Sequence, residues 1–139
     1  MGWMHGLHLT ADLRGCAPEQ PLMTQPAQLR QLCVAAAQEA GLQAVGELFH
    51  RFEPSAPTGA DAIAGITGVV LLAQSHLAVH TWPERGAVTI DVFVCNFHGD
   101  HTRSAQIALD RLIDAFAPGD VLRQQLQRAD AVIAAPGNP

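Results

Sequence analysis

The chain of 139 residues contains no lysine and no tyrosine, and all eight of its basic side chains are arginines. Without a lysine amine it cannot anchor pyridoxal phosphate, run lysine-dependent aldolase chemistry or build a Walker A phosphate loop. Charged residues make up only 15% of the chain and the net charge is −5, so it lacks the basic stripe that a general nucleic-acid surface needs. No apolar run approaches the ~18 residues of a membrane span. The opening Met1-Gly2-Trp3-Met4-His5 has neither the charged region nor the apolar run of a secretory signal, and the expectation is a cytoplasmic protein with no membrane partner. Cys16, Cys33 and Cys95 are odd in number and lack a C-x-x-C spacing, which indicates neither a disulfide framework nor a zinc knuckle.

What is present suffices for a core. At 48% hydrophobic, a chain of this length buries roughly two-thirds of the surface its unfolded form exposes, and residues 1–139 read as one domain. Residues 5–11 alternate apolar and polar positions and predict a strand that ends at an Arg14-Gly15 turn. Thr24 is placed to cap a helix with Pro26 in its first turn, and Gly41 is placed to close it. Leu29, Leu32, Cys33, Ala36, Ala37 and Ala40 recur along it at spacings of three and four, so Cys33 reads as a packed thiol.

Residues 42–52 predict a second strand and residues 53–61 a loop with two prolines. Residues 65–84 predict one or two buried strands and a Trp82-Pro83 turn, and residues 87–94 a further strand ending at Cys95. Ala105, Ala108, Leu109, Leu112, Ile113 and Phe116 share one face of a second helix, stopped by Pro118-Gly119, and the tail from Asp120 is weakly patterned. Short turns between neighbouring strands imply antiparallel pairing. The fold expected is α+β, a two-layer sandwich with an antiparallel sheet and two helices on one face. Its uncovered face is a candidate dimer interface.

Gln74, Ser75, His76, His80 and Thr81 interrupt the apolar stretch between Gly68 and Val94. Polar groups inside a sheet are costly unless paired, so they form either a satisfied hydrogen-bond network or a functional site. His76 and His80 fall on one face of a strand about 13 Å apart, too far to share a zinc ion. His98, Asp100 and His101 form a tighter cluster that reads either as a solvated turn or as a metal site. No G-x-S-x-G elbow surrounds Ser75. Its separation from His80 is odd, so the two face opposite sides of a straight strand and a partnership between them requires a bulge. Cys95, ending a buried strand, reads by itself as structural.

The run from Gly68 to Glu84, GVVLLAQSHLAVHTWPE, and the later Asp91-Val92-Phe93-Val94-Cys95 resemble the bacterial S-adenosylmethionine decarboxylase proenzymes. HLTADLRGC near the N-terminus and Phe49-His50-Arg51-Phe52 extend the likeness over roughly residues 5–117. The resemblance implies a chain that cleaves itself between Gln74 and Ser75 and converts Ser75 into a pyruvoyl group, a carbonyl cofactor that forms a Schiff base with the substrate amine. It implies His80 as the proton-transfer residue of processing and Thr67, where the family has a serine, as its support. Cys95 would be the proton donor to the α-carbon, a role that suits a thiol ionising near ~8.5. Phe52 and Glu84 would hold the nucleoside by stacking and by ribose hydroxyls, with Trp82 supporting the pocket. The implied activity is a carboxy-lyase serving spermidine synthesis, working as a homodimer of processed protomers.

The chain departs from the family in two places. Gln74 replaces a glutamate before the cleaved bond, and the loop of residues 53–66 is longer. Some relatives act on arginine or ornithine. That substrate would need an acidic partner for its distal cation, with Glu47, Glu53 and Asp61 as candidates. A third reading is an unprocessed relative serving as a binding or regulatory subunit.

Overall fold

A computed structural model describes residues 5–128. Among them are six strands, β1 (Gly6–Arg14), β2 (Ala44–Arg51), β3 (Ile66–Leu72), β4 (Ser75–Trp82), β5 (Ala87–Cys95) and β6 (Asp120–Arg128). Three helices accompany them, α1 (Pro21–Thr24), α2 (Pro26–Glu39) and α3 (Thr102–Phe116). The strands form one sheet in the order β2-β3-β4-β5-β1-β6, antiparallel at every pairing. Hairpins need only short turns, which is why β3, β4 and β5 lie side by side in chain order.

Period-two alternation sorts the sheet into two faces. Leu7, Leu9, Ala11 and Leu13 of β1, Leu77 and Val79 of β4, and Val88, Ile90, Val92 and Val94 of β5 are buried under the helices. On α2 the stripe Leu29, Cys33, Ala36 and Ala37 meets them, and on α3 the stripe from Ala105 to Phe116 does so. Each fully buried Leu, Ile, Val or Phe contributes about 1.5–3 kcal/mol relative to exposure. The expected two-layer α+β sandwich is what forms, with α1 as a one-turn addition to the helical layer. Among the described residues no element covers the opposite face, where Leu48, Leu71, Trp82, Leu122 and Leu126 are exposed.

Two local expectations are corrected. Thr24 does not cap the long helix; it ends α1, and Gln25 stands at the N-terminus of α2 without a side-chain cap bond. Both helices instead begin on a proline, Pro21 and Pro26, whose fixed φ suits the first turn. The segment from Asp120 is not an unpatterned tail but the edge strand β6, paired with β1 from Gly6↔Arg128 to Arg14↔Asp120. Gly41 does close α2: at φ 86 its N–H donates to the Gln38 carbonyl while Leu42 N–H donates to that of Ala37.

Candidate active site

β3 and β4 are joined by the two residues Ala73 and Gln74, and Gln74 occupies the left-handed region at φ 55. A side-chain-bearing residue pays about 1–2 kcal/mol to sit there, so strain falls beside the Gln74–Ser75 peptide. On the far side of that peptide, the Ser75 Oγ accepts a hydrogen bond from the Cys95 N–H at 3.1 Å. Cys95 ends β5 half-buried, unlike Cys16 and Cys33, which are buried. A cleft of about 300 Å³ opens here, lined by Gly41, Leu42, Gln43, Gln74, Ser75, Cys95, His98 and His101 among others.

The other end of β4 carries a second cleft, of about 240 Å³. Thr67 Oγ1 and His80 Nδ1 are hydrogen-bonded at 3.0 Å across the β3–β4 pair, which sets them opposite each other in register. The His80 ring stacks on Trp82 with centroids 5.8 Å apart. Phe52, Glu53, Ser55, Ile63 and Glu84 complete the walls. A Cβ at Gly65 would collide with the Thr81 carbonyl, so glycine lets the end of the long loop pass against β4.

The structure therefore brings the expected residues together in two groups. Gln74, Ser75 and Cys95 share one cleft; Phe52, Thr67, His80, Trp82 and Glu84 share the other. β4 pairs with both neighbours from His76 onward without a register shift, so no bulge turns Ser75 toward His80. Five residues of extended strand separate the two by roughly 17 Å.

Several polar residues have structural roles. Thr81 is buried because its hydroxyl donates to the Met23 carbonyl at 2.8 Å and accepts from the Ile66 N–H at 2.9 Å, tying α1 to the sheet. His76 packs on the Phe93 ring. Asp100 accepts from the Thr102 N–H at 3.0 Å at the start of α3, and this bond holds its carboxyl below the usual range. Among the described residues no group of three or more His, Cys, Asp or Glu side chains is arranged to hold a metal ion. Glu47 pairs with Arg30 at 3.9 Å and lines neither cleft. Asp61 is also absent from both walls, while Glu53 lines the second cleft.

Sequence reasoning missed that His98 and His101 line the Ser75 cleft. The signal was their place just after Cys95, obscured by their spacing around Asp100, which suggested a metal. Burial pushes the Cys33 thiol up to about 12 and also raises that of Cys16. A further groove of about 280 Å³ between α3 and β6 contains no nucleophile, and there Asp110 engages Arg123 at 2.7 Å.

Residues 7–129 match the family model described as S-adenosylmethionine decarboxylase. The chain is 34% identical over 131 residues to the S-adenosylmethionine decarboxylase proenzyme of Synechococcus sp. (strain WH7803), covering 94% of this chain and 91% of that one. It is 36% identical over 111 residues to the proenzyme of Thermodesulfovibrio yellowstonii, covering 80% of this chain and 71% of the relative. The crystal structure of the adenosylmethionine decarboxylase from Aquifex aeolicus VF5 superposes with a TM-score of 0.74 at 34% identity, over 89% of this chain and 90% of that chain.

Proposed function

The chain belongs to the S-adenosylmethionine decarboxylase family, and from that premise we propose that it is a self-cleaving proenzyme whose mature form decarboxylates S-adenosylmethionine. The observation that carries this reading is the Gln74–Ser75 peptide itself: a strained turn residue, a serine hydroxyl held by a backbone N–H, and a thiol in the same cleft.

The Ser75 hydroxyl attacks the Gln74 carbonyl carbon, the peptide C–N bond breaks and the amine of Ser75 takes a proton, leaving an ester. Loss of the Ser75 α-proton then expels the ester oxygen, now part of the Gln74 carboxylate, and leaves dehydroalanine. Hydrolysis of dehydroalanine gives the pyruvoyl group and ammonia. The pyruvoyl carbonyl supplies the electron sink that α-amino acid decarboxylation requires, which a chain without lysine cannot obtain from pyridoxal phosphate.

His80, steadied by Thr67, accepts the α-proton of Ser75 during processing. Cys95 holds the proton that returns to the substrate α-carbon. Phe52 offers an aromatic face to the adenine, Glu84 accepts from ribose hydroxyls, and Trp82 supports the pocket by stacking on the His80 ring.

These roles need both clefts at one reaction centre, and one copy of the chain holds them at opposite ends of β4. A homodimer packed through the uncovered sheet face resolves this. Under a two-fold axis, the Ser75 end of one protomer meets the His80 end of its partner, giving two equivalent sites. The face is suited to burial: Leu48 is 71% exposed, Leu126 59% and Leu71 51%, an apolar surface that a lone protomer leaves in water.

Denaturing mass spectrometry tests the reading. Cleavage gives fragments of 74 and 65 residues (139 − 74), the shorter blocked at its N-terminus by a ketone. An intact chain in an active preparation contradicts it, whereas an intact chain without decarboxylase activity favours an unprocessed binding subunit. Carbon dioxide release from S-adenosylmethionine, with arginine and ornithine as competitors, tests the substrate. Preference for a basic amino acid would shift attention to Glu53, which shares the cleft with Glu84.

A further inference from the structure

Cleavage changes the surroundings of the Cys95 thiol. The oxygen that Ser75 loses is retained by the chain as one of the two carboxylate oxygens of the new C-terminus at Gln74. In the precursor that oxygen is the acceptor of the Cys95 N–H, at 3.1 Å. We propose that, in the processed protein, the Cys95 N–H holds the newly formed Gln74 carboxylate, and that this carboxylate is a positioning group that keeps the Cys95 thiol protonated. The proposal rests on the self-cleavage reading above.

Two features keep the new terminus in place. Ala73, one residue before it, donates its N–H to the Gln43 carbonyl at 3.0 Å, and Leu72 remains paired with Ala44 in the sheet. One residue beyond that anchor reaches only about 3.8 Å, so the carboxylate stays in the cleft that Gln74 and Cys95 already line. The strain on Gln74 also lapses, because a terminal residue is free to leave φ 55.

Cleavage adds a single negative charge to this cleft. The departing amine leaves as ammonia and the ketone is neutral, so nothing else at the junction gains or loses charge. A like charge a few ångströms away disfavours a thiolate. The other titratable groups of the cleft are His98 and His101, with Asp100 beside His101. All are present before and after cleavage, as is any group a second copy brings, so the comparison between the two forms isolates the new carboxylate. A residue whose task is to give a proton to carbon is thereby protected from ionising, and only once the enzyme has matured.

The test compares Cys95 alkylation by neutral iodoacetamide in cleaved wild-type protein and in the uncleavable Ser75→Ala chain, with Ser75→Gly as a second uncleavable form. Peptide mass spectrometry separates Cys95 from the buried Cys16 and Cys33. Near pH 7.5 the cleaved form should react about tenfold more slowly, with the two rates converging at pH values where both thiols are fully ionised. Borohydride reduction of the ketone should leave the slowing unchanged. Equal rates at pH 7.5, a difference that persists at high pH and so reports access, or a slowing abolished by reduction would each overturn the proposal while leaving the cleavage reading intact. An uncut wild-type chain would overturn the cleavage reading and with it this one.

Discussion

The two ends of β4 are built from the same strand pairing and do opposite things. At the Ser75 end, the turn is tight enough to force Gln74 to a positive φ, and the polar contact is to a backbone N–H. At the His80 end, the contact is between side chains, Thr67 and His80, and aromatic and acidic groups surround it. The first end has strain and a nucleophile but lacks the aromatic and acidic groups of the second. The second can bind and move a proton but has nothing to cleave. The extended strand keeps them roughly 17 Å apart, so the proposed chemistry would draw its two ends from two copies of the chain.

Substitutions at each end should separate these jobs. The largest effect is expected from Cys95→Ala: cleavage should persist, because the nucleophile and the strained peptide remain, while kcat falls at least about 100-fold for loss of the proton donor. Full-rate decarboxylation by this variant would remove Cys95 from the mechanism. At the other end, Phe52→Ala and Glu84→Gln should leave cleavage in place and raise KM for S-adenosylmethionine about 10- to 100-fold, measured by initial rates. A loss confined to kcat would mean that this end does not bind the nucleoside.

The thiols give a third contrast. Burial holds Cys33 neutral, with its folded value, about 12, above its unfolded one. Its contribution to stability is therefore complete below the ordinary thiol range and is lost as pH rises toward 12. The chain has no lysine or tyrosine to titrate in that window. Unfolding free energies from urea titrations should fall between pH 9 and 11 by about 1.4 kcal/mol per pH unit, and Cys33→Ala should flatten most of that slope, leaving the part due to Cys16. The smallest effect is expected from Gln74→Gly, which relieves about 1 kcal/mol of turn strain. The precursor should become more stable and cleave several-fold more slowly in a time course followed by mass spectrometry.

The central hairpins were legible because β3, β4 and β5 are bounded by turn residues and bury one face continuously. β6 was not, since Arg123, Gln124, Gln125 and Gln127 lie at a sheet edge where neither face is buried and no apolar alternation survives. Thr24 misled because two prolines in succession start two helices, and the cap signal of one falls on the end of the other. The candidate site residues came from the S-H-L-x-x-H-T-W-P run and the cysteine that follows it, and the fold gathers them into two clefts. The odd separation of Ser75 and His80 already placed them on opposite faces. What no linear pattern could state was that the strand stays straight, so that the question of where His80 acts passes from one chain to two.

That question has a direct measurement. Ser75→Ala and His80→Ala chains, each uncut when made alone, are co-expressed and the His80→Ala chain is followed by intact mass. If the site is shared across a two-fold axis, random pairing puts roughly half of the His80→Ala chains opposite an intact His80, and about that fraction should appear cleaved. His80→Ala chains that remain whole in the mixture, or that cleave fully without a partner, would contradict a shared site.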